Sequence, residues 1–386
     1  MFLINYNSFM LALIIFYSVM PLTYKITLIP IFKPEFFLII FSFPLLFSIK
    51  KSSKKSWVIV FINITFILIN ILTGIKYSEK LYEYILKVIP FSLFPTIIGT
   101  LIIDKKKLNK YLLIFCNLNF FLLLYIVVLR QDMYSNKEIM NYMTFGYWLL
   151  PSILFYMYFY IIKNRIIYLI LNIFGIIIIT LFGSRFTILL SILGSFILKF
   201  KLSSKCLKRK ILLVSLFSIP ILAIIFVNIE NILRRLIRIC INLNINSVPL
   251  GRLLFTLEGS SSRLLTGRDF LFKETLKMII KNPLGTGVFG FMENDLLRNE
   301  GIFYPHNIFL EVMLHMGVGG LVFLGIIFIL ILRQLKKNKE NKESYTLILI
   351  LCIMNLKLLL TGSYLWEPYF WLLISLMFSL EMKKEN

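Results

Sequence analysis

Apolar runs of about 15 to 25 residues recur along this chain with short polar stretches between them, and no other feature restricts its fold so tightly. A hydrocarbon core about 30 Å thick offers no water to unpaired backbone groups, so such runs cross it as helices. Twelve are expected, at 8–24, 26–49, 57–75, 85–103, 111–129, 143–162, 166–182, 186–200, 211–228, 307–332, 345–361 and 369–380. Pro30, Pro34 and Pro44 break or tilt the second, and the eighth and twelfth are short for a full crossing.

Composition agrees. Hydrophobic residues are 59% of 386 and the mean hydropathy is +0.85, against an apolar share of roughly half in soluble domains. The fold class expected is an all-α integral membrane protein of about twelve transmembrane helices. With a cytoplasmic N-terminus the inside segments hold 23 Lys and Arg and the short outside loops six, Lys25, Lys76, Lys80, Arg130, Lys137 and Arg185. The positive-inside rule then puts both termini in the cytoplasm. The net charge of +23 is explained by these inside loops and anionic lipid, so nucleic acid is not an expected partner. The first 24 residues lack a basic start and an A-x-A cleavage site, so the first run reads as a retained helix. Cys116 and Cys352 fall in spans, Cys206 inside and Cys240 alone outside, which offers no disulfide or metal framework.

One connection is long. Residues 229–306 face the outside and separate a first block of nine spans, 1–228, from a last block of three spans and a cytoplasmic tail, 307–386. The inside segments use Lys almost throughout, whereas this one carries Arg234, Arg235, Arg238, Arg252, Arg263, Arg268 and Arg298. Guanidinium forks match phosphate and carboxylate, so the cluster points to an anionic ligand; solvated pairing with the segment's own Asp and Glu is the alternative for any single Arg. Within it, "TGRDFLFKETLKMIIKNPLG" reads as one amphipathic helix over about 267–281, capped by Thr266 and Asp269, with Phe272, Leu276, Ile279 and Ile280 on one face. The following "NPLGTGVFGF" spaces Gly285, Gly287 and Gly290 as G-x-G-x-x-G. That spacing signals a dinucleotide site only between a strand and a helix, and here it follows a helix; the glycines read as a turn or a close backbone approach.

Two histidines are present. His306, in "YPHNIFLE" at the outer edge of the tenth span, is placed to act as a general base near neutral pH. Asn307, Glu311 and His315 follow at i, i+4 and i+8, a polar ridge that either supports the site or is structural, with Glu311 placed to neutralise or hydrogen-bond His315. Arg185, in "LFGSRFTILL" between the seventh and eighth spans, suits a lipid-linked phosphate, ordinary snorkelling being its alternative. Lys357 is a weaker cation of the same kind, which a carboxylate elsewhere could pair.

The order "GSR" at 183–185, "TGRDFLF" at 266–272, "NPLGTGVFGF" at 282–291 and "HNIFLEVMLHMGVGGLVFL" at 306–324 resembles the O-antigen ligase and O-antigen polymerase superfamily of bacterial envelopes over about residues 180–330. The resemblance implies a GT-C-like bundle in the bacterial inner membrane, with its active site in the periplasm, that needs no cofactor or metal. It implies an undecaprenyl-diphosphate-linked oligosaccharide donor, with a chain-length regulator and a flippase as candidate partners. By the same resemblance Arg185 and Arg268 bind the pyrophosphate, His306 serves the acceptor hydroxyl, and Asn307, Glu311, His315 and Arg263 are supporting residues. Ligase-like members often show a second His just before the HN; here Tyr304 and Pro305 precede His306. That departure favours a polymerase of lipid-linked repeat units over a ligase acting on lipid A core. A transporter or flippase for an anionic solute is the third reading, disfavoured because no repeat relates the two halves and the polar groups gather at one rim.

Overall fold

The computed structural model describes residues 2–29, 33, 54–73, 78–129, 141–203, 229–242, 247, 250–251, 254, 268–294 and 304–379. Every regular element among them is helical: α1 (Phe2–Ile15), α2 (Val19–Thr27), α3 (Lys54–Thr73), α4 (Ser78–Val88), α5 (Lys105–Leu129), α6 (Tyr142–Lys163), α7 (Ile166–Phe182), α8 (Arg185–Leu202), α9 (Ile229–Asn242), α10 (Arg268–Lys281), α11 (Ile308–Met316), α12 (Val318–Lys337), α13 (Lys342–Asn355) and α14 (Pro368–Ser379). Through a π-helical turn at Ile89–Leu93, α4 continues into a further helical piece, Phe94–Gly99.

Four helices are long and apolar enough to cross a membrane, Leu81–Gly99, Lys105–Leu129, Tyr142–Lys163 and Val318–Lys337, and a fifth if α1 and α2, bent by 76°, count as one. The chain is a helical membrane protein. On α12 Val322, Phe328 and Leu332 are at least half exposed, a cost in water but not against lipid. The expected runs 57–75, 166–182 and 369–380 correspond to shorter apolar helices. The run 211–228 and almost all of 26–49 lie outside the described residues.

The expected tenth span, 307–332, is not continuous: Gly317, at φ 59°, divides it into α11 and α12. Similarly the eleventh, 345–361, leaves the α-helix at Asn355 and tightens into a 3-10 turn at Leu356–Leu359.

The chain packs as two compact units. In the unit formed by 116–266, α6 is the central helix and packs on α7 and α8. Gly175 lets α7 come close, since a Cβ there would meet Ile153 at 2.7 Å. Among the described residues of this unit the buried polar side chains are amides and hydroxyls. Asn119 donates to the Trp148 carbonyl at 2.8 Å and the Ser152 hydroxyl at 2.9 Å, and Asn172 donates to the Ile153 carbonyl at 2.8 Å and the Ser195 hydroxyl at 3.0 Å. A helix not expected from the sequence, α9, packs its Leu233 and Cys240 with Leu250 and Leu181 while Arg234, Arg235 and Arg238 are exposed.

In the unit formed by 1–115 and 267–386, α14 packs against Phe94–Gly99, and α10 packs on α11. A helix, Arg268–Lys281, stands where the amphipathic helix is expected, but its buried face is shifted. Ile279 is buried as expected, with Leu271, against Phe291 and Leu314, and Thr275 is buried on the same side, whereas Leu276 and Ile280 are exposed. With 3.6 residues per turn, the stripe at i, i+4 and i+8 starts one residue before the one expected. Thr266 lies outside the described residues.

Candidate functional site

His306 sits in the loop that leads into α11, and its neighbour fixes where that loop stands. The Asn307 side chain accepts hydrogen bonds from the Phe309 and Leu310 N–H groups, at 3.0 and 3.2 Å, and donates to the Leu359 carbonyl at 3.1 Å. It is therefore both the N-cap of α11 and a tie to the turn that follows α13. Immediately before this cap, His306 has φ 56°, in the left-handed region that a β-carbon disfavours. Strained backbone of this kind costs about 1–3 kcal/mol and persists where its surroundings over-determine it.

The Tyr304 ring meets the imidazole edge-on with centroids 4.4 Å apart, and itself meets Trp366 at 5.9 Å. Burial lowers the His306 pKa from its usual 6.5, and the Arg268 charge lowers it further. At pH 7 the ring is thus neutral and able to accept a proton.

The polar ridge on α11 points at a segment that sequence reasoning did not associate with it. Glu311, fully buried, accepts a short hydrogen bond from the Ser363 hydroxyl and one from the Tyr364 N–H at 3.4 Å. His315 Nδ1 lies 3.0 Å from the Tyr364 hydroxyl. Glu311 and His315 do not bond each other; both hold the turn at 363–364. Beside them Lys357 Nζ contacts Glu367 Oε2 at 2.6 Å, both side chains buried, so the carboxylate that pairs Lys357 comes from ten residues further on. The whole stretch from Leu356 to Glu367 is thereby pinned to α11. Of its contributors only Lys357 was a sequence candidate; Ser363, Tyr364, Trp366 and Glu367 were missed, and the one signal available was a lone Glu between two apolar runs.

The glycine-rich stretch after α10 pins α11 from another side. The Thr286 N–H donates to the Leu314 carbonyl at 2.7 Å, the Gly287 N–H to that of His315 at 3.1 Å, and the Val318 N–H to that of Pro283 at 3.1 Å. Gly285 has φ 92°, and a Cβ on it would lie 2.6 Å from the Gly317 nitrogen. Its glycines permit backbone to lie on backbone at the α11–α12 break, which makes this a structural joint.

Arg268 opens α10 in the same unit as His306 and is close enough to act on it electrostatically. Arg185 belongs to the other unit, exposed as the first residue of α8, where the preceding Ser184 caps the helix by accepting the Thr187 N–H. Arg263, Arg252 and Arg298 lie outside the described residues. No group of three His, Cys, Asp or Glu among the described residues could hold a metal ion.

These features define a class: a helical membrane protein with a strained, neutral histidine on a loop braced by buried ionisable groups. A model of the O-antigen ligase family matches residues 170–325, which include Arg185, Arg268, His306 and all of α11. Over that stretch, about two fifths of the chain, the protein is similar to the O-antigen polymerase and ligase superfamily. No curated protein matches the chain.

Proposed function

We propose that this protein is a polysaccharide polymerase of the O-antigen or capsular kind, joining undecaprenyl-diphosphate-linked repeat units at the outer face of the bacterial cytoplasmic membrane. The observation that carries the reading is His306: inside the family-matched stretch, neutral, and held on a braced loop near the Arg268 charge. In the reaction an acceptor sugar hydroxyl attacks the anomeric carbon of the donor, a new C–O bond forms, and the bond to the diphosphate breaks with its electron pair on the leaving group. His306 takes the hydroxyl proton, and Arg268 and Arg185 bind the departing diphosphate. Guanidinium groups suit that task, since their charge and fork geometry match phosphate oxygens. About twelve spans, cytoplasmic termini and a periplasmic site complete the proposal, with lipid-linked glycan, a chain-length regulator and a flippase as partners.

Transfer of finished glycan to lipid A core is the second reading, favoured by the description of the matching family model as O-antigen ligase. Tyr304, in place of the second histidine that ligase-like members often show, favours polymerisation. Gel analysis of envelope polysaccharide tests both. With Arg185→Ala, Arg268→Ala or His306→Ala in the membrane at normal levels, a polymerase yields single repeat units on the core. A ligase yields bare core while lipid-linked polymer accumulates. Full-length surface polymer in all three variants would refute the site.

A further inference from the structure

Beside the His306 loop lies a hollow of about 600 Å³, its mouth included, which the reaction just described does not use. Its wall is aromatic, formed by Tyr84, Phe289, Phe291, Tyr304 and Trp366, with Glu83 and Lys87 also lining it. The rings brace one another: Tyr84 meets Phe289 edge-on at 5.5 Å, and Tyr304 meets Trp366 at 5.9 Å. Lys87 Nζ stands 5.3 Å from the centre of the Trp366 ring and 2.5 Å from Glu83 Oε1, and both charged side chains are more than a third exposed.

Apolar walls with a few placed polar groups are what small-molecule sites use. Aromatic faces together with a carboxylate and an ammonium suit a sugar ring, which carries C–H groups on its faces and hydroxyls at its edge. The described rim disfavours the donor's diphosphate. Among the described residues that line the hollow the one cation is matched by a carboxylate and none is an arginine, and Glu83 would repel a second anion. An uncharged pyranose remains. Because Tyr304 forms part of the wall and touches the imidazole of His306 at 4.4 Å, a ring seated there stands one side chain from the proposed base.

We infer that this hollow is the acceptor-sugar subsite: Trp366 and Tyr304 form its stacking platform, and Glu83 and Lys87 hold the hydroxyls of an uncharged terminal pyranose. The inference rests on the glycosyl-transfer reading and names the residues that would choose its acceptor. Trp366 and Tyr304 touch the sugar; Phe289 and Phe291 support them.

The test uses full-length purified protein and, as probe, the repeat-unit oligosaccharide freed from lipid diphosphate by mild acid, which cannot act as donor. Equilibrium dialysis of the labelled oligosaccharide gives its Kd without turnover. Trp366→Ala is expected to weaken binding by about tenfold, Trp366→Phe to restore most of it, and Glu83→Gln to weaken it less. In turnover the acceptor KM rises more in Trp366→Ala than kcat falls, and the donor KM stays as in the wild type. Trp366→Ala and Trp366→Phe both binding the oligosaccharide as tightly as the wild type would overturn the subsite, as would no saturable binding to the wild type. An inactive His306→Ala beside an unaltered acceptor KM in Trp366→Ala would sink the subsite and keep the enzyme. Trp366-dependent binding by a protein that forms no glycosidic bond would keep the subsite and sink the enzyme.

Discussion

The two units bury polar side chains in different ways. Among the described residues of 116–266 the interhelical polar groups are amides and hydroxyls, Asn119 with Ser152 and Asn172 with Ser195, each bonded to a carbonyl or hydroxyl of a neighbouring helix. In the unit of 1–115 and 267–386 the buried groups include Glu311, His315, Lys357 and Glu367, and they converge on the stretch from Leu356 to Glu367 that faces α11. Neutral polar contacts are a modest means of holding helices together, about 0.6 kcal/mol each in measured membrane cases. The buried Lys357–Glu367 pair costs far more to maintain and breaks badly when one partner goes. It lies in the stretch that Asn307, the neighbour of His306, bonds through the Leu359 carbonyl.

The difference can be broken by mutation. Lys357→Ala leaves Glu367 buried without its counter-charge and should lose about 3–5 kcal/mol, seen as a lower melting temperature in detergent; pairing it with Glu367→Leu should recover most of that loss. An equal loss in the double variant would show that the pair is not what the segment depends on. Gly317→Ala puts a β-carbon at φ 59° against the backbone at Pro283–Leu284 and should cost at least about 1–3 kcal/mol. Because it shifts the α11–α12 joint, it should also slow the proposed glycosyl transfer. Asn172→Ala in the other unit should cost only about 0.6 kcal/mol and leave polymer length unchanged; a loss as large as that of Lys357→Ala would erase the contrast.

A pH series sharpens the same point. Burial, then Arg268, depresses the His306 pKa below 6.5, so the neutral ring favours the folded state above that value and the advantage fades as pH falls through the depressed pKa. The proposed glycosyl transfer should lose rate on that acidic limb, below 6.5. Arg268→Gln should move the limb up toward 6.5; a limb that stays put would separate Arg268 from His306.

Helix positions were legible because a hydrocarbon core demands continuous apolar runs, and Lys105–Leu129 and Tyr142–Lys163 lie where those runs predict. Breaks were less so: Gly317 looks like any other glycine in "MGVGGL" until the backbone at Pro283–Leu284 is seen to fill the space beside it. The face of α10 was misplaced by one residue because its apolar residues surround the helix and only its partner α11 selects the buried stripe. At the site, the sequence marked His306 and the ridge of Asn307, Glu311 and His315 through their rarity in an apolar setting. What the ridge holds lies about fifty residues further on, and no local pattern links Glu311 to Ser363 or His315 to Tyr364. The amphipathic helix Ile229–Asn242 was readable from Leu233, Leu236, Ile237 and Cys240 at helical spacing and was overlooked behind its arginines.

The most direct test of the braced histidine is a reconstituted reaction with purified protein and undecaprenyl-diphosphate-linked repeat unit, followed by the release of lipid diphosphate. His306→Ala should melt within a few degrees of the wild type and form glycosidic bonds about 10²–10⁴-fold more slowly. Wild-type rates from a folded His306→Ala protein would contradict the account.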